Sequence, residues 1–236
     1  NGYAVQNAGM AKINDILYFG ASDGTNGLEL WRSDGSENGT YMVKDINSSG
    51  GSDPRLFVAC DSKLFFSADD GTNGYELWVS EGTSSTTNLV KNINPSTTDN
   101  SVKLHYSHQA VMDNIFYFQG NDGTNGWELW RSDGTESGTY IVKDIDPNGD
   151  GKPMNIREIG GKLYFSADDG NGRELWVSDG TESGTYKISD INSSGDANVG
   201  TPVELNGIIY FSADDGTHGV ELWKYDPNAV DDNTPP

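Results

Sequence analysis

Short apolar runs alternate with polar turns along the whole chain, and both recur at regular spacing. One complete repeat of this pattern predicts four strands, at residues 55–60, 63–68, 75–80 and 88–93, each bounded by Gly, Asp, Asn or Ser. Runs rich in Val, Ile, Leu and aromatic residues with such boundaries are typical of antiparallel β-meanders. Because no segment has a helical period of useful length, the pattern predicts an all-β fold.

A Glu-Leu-Trp triplet marks each repeat. It occurs five times, at intervals of 46 to 52 residues, and its tryptophans are Trp31, Trp78, Trp130, Trp176 and Trp223. A period of this length holds about four short strands, the size of a propeller blade or a solenoid coil. We number the repeats units 1 to 5 in chain order. They take up nearly the whole chain, so we expect one repeat-built domain over 1–227 and a C-terminal linker over 228–236.

Strand interiors such as Leu64-Phe65-Phe66 are apolar on both faces, which suits a sheet packed between two neighbouring sheets. Propeller blades meet that requirement with four strands each. We therefore predict a five-bladed β-propeller of four-stranded antiparallel blades. A linear solenoid is the alternative, although it requires polar caps at its ends.

Unit 5 lacks the sequence of a fourth strand, because the chain turns to linker composition after Tyr225. We expect the segment Tyr3-Ala4-Val5-Gln6 to supply that strand and to close the ring. The alternative is that residues 1–8 form a tail and that the last blade has three strands.

The segments at Glu128 and Glu174 read ELWRSDGT and ELWVSDGT. They resemble the repeat of a family of bacterial secreted and cell-surface proteins that carry the ELWxxDGT motif. Unit 1 departs from the motif at Ser36, unit 2 departs at Glu81, and unit 5 lacks the Asp-Gly-Thr part. The resemblance implies an extracellular or surface-exposed module with neighbouring domains in a larger chain, and it implies no defined biochemical activity. The start at Asn1, without methionine, suggests a processed or excised piece.

The charge balance narrows the range of partners. Fifteen basic residues stand against 36 acidic ones, a net charge of −21, so nucleic acid and anionic membranes are poor partners on electrostatic grounds. Cations and neutral polar ligands are better ones. No apolar run approaches the roughly 20 residues of a membrane span, so no direct membrane insertion is expected. The single cysteine, Cys60, lies in an apolar strand and is expected in the core.

The strongest candidate for a metal site is the segment Asp144-Ile145-Asp146-Pro147-Asn148-Gly149-Asp150-Gly151. The alternating oxygen-bearing side chains Asp144, Asp146, Asn148 and Asp150, with glycines for a sharp turn, suit calcium, which takes about six to eight oxygen ligands. A full EF-hand loop would require glutamate where Arg157 stands. A solvated turn rich in Asp and Asn is the alternative.

The repeated tryptophans have two interpretations. Trp31, Trp78, Trp130, Trp176 and Trp223 could stack against sugars, with carboxylates accepting hydrogen bonds from sugar hydroxyls. They could instead be structural, together with glutamates held by turn N–H groups or hydroxyls between packed blades. Trp127 lies outside the repeat, where other units have Leu28, Tyr75, Arg173 and Val220. A residue that the fold does not require is the better ligand-binding candidate.

We therefore expect a non-catalytic binding or adhesion module that recognises glycans or a cell-surface protein, with calcium stabilising its rim loops. A purely structural spacer in a larger surface protein is the first alternative, and a glycan hydrolase is the second. Catalysis has little support because the paired carboxylates recur in every unit, whereas an active site departs from the symmetry of the repeats.

Overall fold

A computed structural model of the chain describes residues 4–95, 101–103 and 107–229. Within these ranges the regular structure is β-strand, apart from one turn of 3-10 helix at Ser84–Thr86. No helix in these ranges is long and apolar enough to span a membrane. The prediction of an all-β fold is confirmed.

The strands follow the repeats. Unit 1 contains β1 (Ala4–Ile13), β2 (Ile16–Ser22), β3 (Leu28–Ser33) and β4 (Tyr41–Lys44). Unit 2 contains β5 (Arg55–Cys60), β6 (Lys63–Asp69), β7 (Tyr75–Ser80) and β8 (Asn88–Lys91). Unit 3 contains β9 (Val102–Lys103), β10 (Gln109–Met112), β11 (Ile115–Asn121), β12 (Trp127–Ser132) and β13 (Tyr140–Lys143). Unit 4 contains β14 (Met154–Ile159), β15 (Lys162–Asp168), β16 (Arg173–Ser178) and β17 (Tyr186–Lys187). Unit 5 contains β18 (Val203–Leu205), β19 (Ile208–Asp214) and β20 (Val220–Tyr225).

Each unit forms one antiparallel sheet, and we number the sheets 1 to 5 after their units. Consecutive strands are neighbours, except that β9 of unit 3 pairs with β11. Sheets 1, 2 and 4 have four strands, sheet 3 has β9 as a fifth, and sheet 5 has three. The glycines of the turn between β6 and β7 have positive φ angles, 79° at Gly71 and 71° at Gly74. This conformation costs glycine little, which explains why the repeat places glycine there.

Consecutive sheets pack face to face, and we call each such interface a joint. At the joint of sheets 1 and 2, Tyr18 and Leu30 share one core cluster with Phe66 and Trp78. The equivalent positions meet at the other three joints, with Phe65 in place of tyrosine at the joint of sheets 2 and 3 and with Trp223 only partly buried at the last joint. Sheets 1 to 4 therefore contribute the leucine of their Glu-Leu-Trp triplet to the joint that follows them, while sheets 2 to 5 contribute the tryptophan to the joint that precedes them. Leu64, Phe65 and Phe66 are fully buried, as a sheet covered on both faces requires.

In the described ranges, the last sheet lacks the N-terminal strand that the sequence predicted for it. Ala4 and Val5 pair with Ser22 and Ala21 of β2, so the N-terminal segment belongs to sheet 1. Within the part of the chain that the structure describes, no strand pairs with the outer edge of β20. The expectation that this segment completes sheet 5 is therefore wrong, because residues 4–13 form one strand that follows β2 past a bulge between Val5 and Met10. Sheet 5 has the three strands of the alternative. Of the expected linker, only residues 228 and 229 lie in the described ranges.

Candidate binding site on the acidic rim

Four glutamates of the Glu-Leu-Trp triplets are buried and hold the loop that leads to the next sheet. Glu29 accepts hydrogen bonds from the backbone N–H groups of Ile46 and Ser52, both at 2.9 Å, and from the Ser52 hydroxyl at 2.6 Å. Glu76, Glu128 and Glu174 accept a bond from a donor that likewise lies 17 residues downstream. All four are at most 1% exposed. The prediction that these glutamates satisfy buried loop donors is confirmed.

Burial raises the pKa of all four carboxyl groups. For Glu128, burial and the neighbouring Asp144 carboxylate raise the pKa to about 7, although hydrogen bonds from Ile145 and Gly151 oppose the shift. A carboxyl group with such a pKa suits general acid chemistry. Glu128 has no exposed surface, however, and its oxygens face backbone N–H groups. Its perturbed pKa therefore comes from its structural position, and it does not mark a reacting group.

The tryptophans of the triplets lie mainly inside the joints. Trp31, Trp78, Trp130 and Trp176 are only 4–6% exposed, and Trp223 is partly buried, with its Nε1 donating to the Ala213 carbonyl at 3.1 Å. A sugar that stacks on an indole needs an open aromatic face. Because packing covers the faces of the first four, the stacking interpretation does not fit their position.

One rim of the array gathers the turn between the second and third strands and the loop that follows the fourth strand. Asn92 of that loop donates from its Nδ2 to Asn73 Oδ1 in the turn of the same sheet, at 2.7 Å. Gly71 of this turn also packs closely against Asn47, which lies in the loop that follows sheet 1. A Cβ atom added at Gly71 would lie only 2.8 Å from Asn47 Oδ1. The two acidic loop sets therefore share a rim, as predicted, and they contact each other across the joints.

The aspartates of the turns are bonded within their own turn. Asp70 Oδ1 accepts from the N–H groups of Thr72 and Asn73, both at 2.8 Å. Burial acts to raise the pKa of Asp70, but these bonds outweigh it and hold the pKa below its usual value. Asp122 is bonded in the same way by Thr124 and Asn125. Turn formation therefore accounts for these carboxylates.

Several carboxylate oxygens of the predicted calcium loop already have hydrogen-bond or ion-pair partners within the protein. Asp146 Oδ1 accepts from the Asn148 N–H at 3.1 Å. Asp150 Oδ1 accepts from the Trp127 N–H at 3.0 Å, and Asp150 Oδ2 pairs with Lys152 Nζ at 2.9 Å. In residues 4–95, 101–103 and 107–229, no group of three or more His, Cys, Asp or Glu side chains has an arrangement suited to a metal ion.

Asp144 differs from the other carboxylates of the rim. Its Oδ1 is buried and accepts no hydrogen bond from the described residues. Burial, followed by the nearby carboxylates of Asp146 and Asp122, raises its pKa. Negative charge therefore accumulates at the rim between sheets 3 and 4, and a cation or a hydroxyl donor would relieve it.

Trp127 begins β12 on this same rim, opposite Asn121 and one residue before Glu128. Its backbone is fixed on both sides, since its N–H donates to Asp150 and its carbonyl accepts from the Lys152 N–H at 2.8 Å. Its side chain is half-buried. The structure thus brings Trp127, Asp144, Asp146 and Asp150 to one rim segment, which we call the unit 3 rim. Asp122 and Lys152 also belong to it, and the sequence pattern did not distinguish them from ordinary turn residues.

Comparisons with known proteins bear on the fold alone. The chain matches no protein-family profile and no curated protein sequence. It superposes on a structure from a study of two prolyl endopeptidases with TM-score 0.55 and 10% identity, covering 95% of this chain and 34% of that one. Prolyl oligopeptidase B from Galerina marginata gives TM-score 0.50 and 14% identity, covering 94% of this chain and 35% of that one. The β-propeller domain of the Trilobed protease from Pyrococcus furiosus gives 0.47 and 11%, covering 93% and 64%.

The chain spans about a third of the length of the first two structures. Five consecutive antiparallel sheets, packed face to face through similar joints, define an all-β repeat protein whose architecture is consistent with a β-propeller.

Proposed function

We propose that this chain is a non-catalytic binding or adhesion module of a secreted or cell-surface protein, built as a five-bladed β-propeller. Its ligand is a glycan or a surface partner, and its binding site is the unit 3 rim. The observation that carries the proposal is the position of the half-buried Trp127, whose backbone N–H donates to Asp150 of the same loop that carries Asp144 and Asp146.

The rim segment offers both kinds of contact that a neutral polar ligand requires. An indole supplies a flat apolar surface, and the carboxylates of Asp144 and Asp146, whose side chains are only partly buried, supply acceptors. The loops are held by Glu128 and by the Asp150 contact to Trp127. A site on such fixed loops loses little entropy on binding.

We further propose that calcium stabilises this rim through Asp144, Asp146, Asn148 and Asp150. The support is electrostatic, because burial and two neighbouring carboxylates disfavour the charged form of Asp144. A hard cation bound by these oxygen atoms would instead favour the charged form of Asp144. The salt bridge from Lys152 to Asp150 would have to rearrange if Asp150 became a ligand.

A glycan array probed with and without EGTA tests the proposal. The wild-type chain should bind a defined set of glycans, and Trp127→Ala should reduce that binding by at least about tenfold if the indole stacks on the sugar. Tyr75→Ala is the matched control, since Tyr75 occupies the corresponding position of sheet 2 and should leave binding unchanged.

Two results would contradict the proposal. Absence of binding to every glycan and to surface extracts would favour a structural spacer. Release of reducing sugar from a bound glycan would favour a hydrolase.

A further inference from the structure

Among the described residues no strand occupies the outer edge of β20, whereas the corresponding edges of the other sheets are paired. In sheets 1 to 4 a fourth strand pairs with the strand that carries Glu-Leu-Trp, so that Trp31 lies opposite Met42 and Trp78 lies opposite Leu89. In sheet 5, no strand of the described ranges takes this place. A free sheet edge presents a row of backbone donors and acceptors that an added strand can pair with.

An apolar face adjoins this edge. Leu222 is 76% exposed, whereas its counterparts Leu30, Leu77, Leu129 and Leu175 are fully buried at 0%. Val203, Leu205 and Val220 are also exposed. Sheet pairing places Val203 and Tyr210 on one face, and Leu222 projects to the same face.

In the internal repeats the corresponding leucine contacts both the fourth strand of its own sheet and the following sheet. In sheets 1, 2 and 3 a valine of the fourth strand shares a core cluster with that leucine and with residues of the next sheet, as Val43 does with Leu30 and Phe66. The loop after that strand then supplies the N–H donors for the buried glutamate, as Ile46 does for Glu29. Glu221, the fifth glutamate, is exposed.

A cavity lies where the missing hairpin would turn. At the joint of sheets 1 and 2, the Asp-Gly-type turn before the fourth strand places Gly82 against the Tyr18 hydroxyl. Gly180 has the same contact with Tyr117 at the joint of sheets 3 and 4. Unit 5 has no such turn, and a cavity of about 360 Å³ lies beside Tyr164, lined also by Lys162 and Asn228.

We propose that β20 and this cavity bind a hairpin of the chain's own repeat type that is not part of residues 1–236. The hairpin consists of an Asp-Gly turn that enters the cavity, a strand of pattern Tyr-aliphatic-Val-Lys that pairs with β20, and a following loop that donates to Glu221. Lys162 would donate to the turn, as Lys63 Nζ does to the Asp133 carbonyl at the joint of sheets 2 and 3, at 2.5 Å.

A synthetic peptide of residues 33–52 of this chain is the probe, because it contains the turn, the strand and the donors that bind Glu29 in sheet 1. Isothermal titration should show saturable binding to the intact chain. Amide hydrogen exchange should slow at residues 220–225 on binding. Leu222→Asp should weaken binding by at least about tenfold without changing the melting temperature, since this side chain is exposed.

One control tests whether the peptide pairs as a strand, and a second tests whether binding is specific to sheet 5. A peptide with Val43→Pro loses a strand contact and should not bind. Met10→Asp introduces a charge at an exposed apolar side chain of sheet 1 and should leave binding unchanged. The proposal is overturned if the peptide fails to bind at about 1 mM or if the proline peptide binds equally. Self-association of the chain that Leu222→Asp abolishes would also overturn it, because a second copy would then be the occupant.

Discussion

The carboxylate of Glu128 accepts a hydrogen bond from the backbone N–H of Gly151 at 2.6 Å, 23 residues further along the chain. It also accepts one from Ile145, so one side chain of sheet 3 fixes the loop that leads into sheet 4. Equivalent glutamates serve the loops that follow sheets 1, 2 and 4. The repeated Glu-Leu-Trp triplet is therefore a device for joining consecutive sheets.

Removing one of these carboxylates should destabilise the fold. Glu29→Ala leaves the buried N–H groups of Ile46 and Ser52 without an acceptor, and we expect a loss of about 2–4 kcal/mol in the free energy of unfolding. Glu221→Ala changes the exposed counterpart in sheet 5 and should have almost no effect. Urea unfolding of both variants measures the difference, and equal losses would contradict the assigned role.

The pH dependence of stability follows from Glu128. Its pKa is raised from 4.5 to about 7, so the folded state keeps a proton that the unfolded state releases as the pH rises above 4.5. Stability should therefore be greatest at the lower end of this window and fall as the pH rises to about 7, by an amount on the order of 3 kcal/mol. The raised pKa values of the other three buried glutamates act in the same direction.

At still lower pH the sign reverses. The pKa values of turn aspartates such as Asp70 and Asp122 are lowered, so their contribution is lost as the pH falls below about 4. Unfolding free energies at a series of pH values should show a maximum near pH 4 to 5. Glu128→Gln should flatten the slope above that maximum and Glu221→Gln should not. A stability that increases steadily up to pH 7 would contradict this account.

Two glycines have nearly the same backbone conformation but differ in their packing. Comparing alanine substitutions at the two positions therefore measures how much the packing at a joint contributes to stability. Gly82 has φ 91° and Gly35 has φ 89°, but a Cβ at Gly82 would overlap the Tyr18 hydroxyl whereas one at Gly35 meets nothing within 4 Å. Gly35→Ala should cost about 1–2 kcal/mol from backbone strain alone. Gly82→Ala should cost about 1–3 kcal/mol more.

The double variant Gly82→Ala with Tyr18→Phe checks that explanation. Removal of the hydroxyl should recover part of the additional loss in thermal or urea unfolding. Equal destabilisation by the two alanine substitutions would show that Tyr18 does not pack on the turn.

Calcium binding has a matched control within the repeat. If Asp144, Asp146, Asn148 and Asp150 bind calcium, the melting temperature should rise with added calcium and fall with EGTA, following the mass action of a ligand that binds the folded state. Asp144→Asn should remove that response. Asp45→Asn changes the corresponding aspartate of unit 1 and should preserve it. A melting temperature indifferent to EGTA would exclude a structural calcium ion.

Much of the fold was predictable because each strand is bounded by turn residues. The strands predicted for unit 2 agree with β5 to β8 to within two residues at each end. Burial of Cys60 followed from its apolar strand. The pairing of residues 4–13 was not predictable in the same way. Their sequence does not show whether they lie beside β2 or β20, because that choice depends on the position of the first sheet relative to the last.

The candidate site was only partly accessible from the sequence. Trp127 stands out because the fold does not require tryptophan at that position, whereas the triplet tryptophans and the turn aspartates recur for structural reasons. The proximity of Asp122 and Asp144 could not be inferred, since it depends on how the turn and the loop meet at the rim. The 17-residue spacing from glutamate to donor becomes meaningful only once the structure shows the hydrogen bond.

Cys60 provides a way to observe one joint separately from the others. It is the single cysteine of the chain, and its side chain lies in the cluster between sheets 2 and 3 at 2% exposure. Burial also raises the pKa of its thiol, so the folded form should react very slowly with thiol reagents. Spectroscopic probes average over the repeated units, but the rate of Cys60 labelling reports how often this particular neighbourhood opens. The unmodified protein thus contains a single-site reporter of local unfolding.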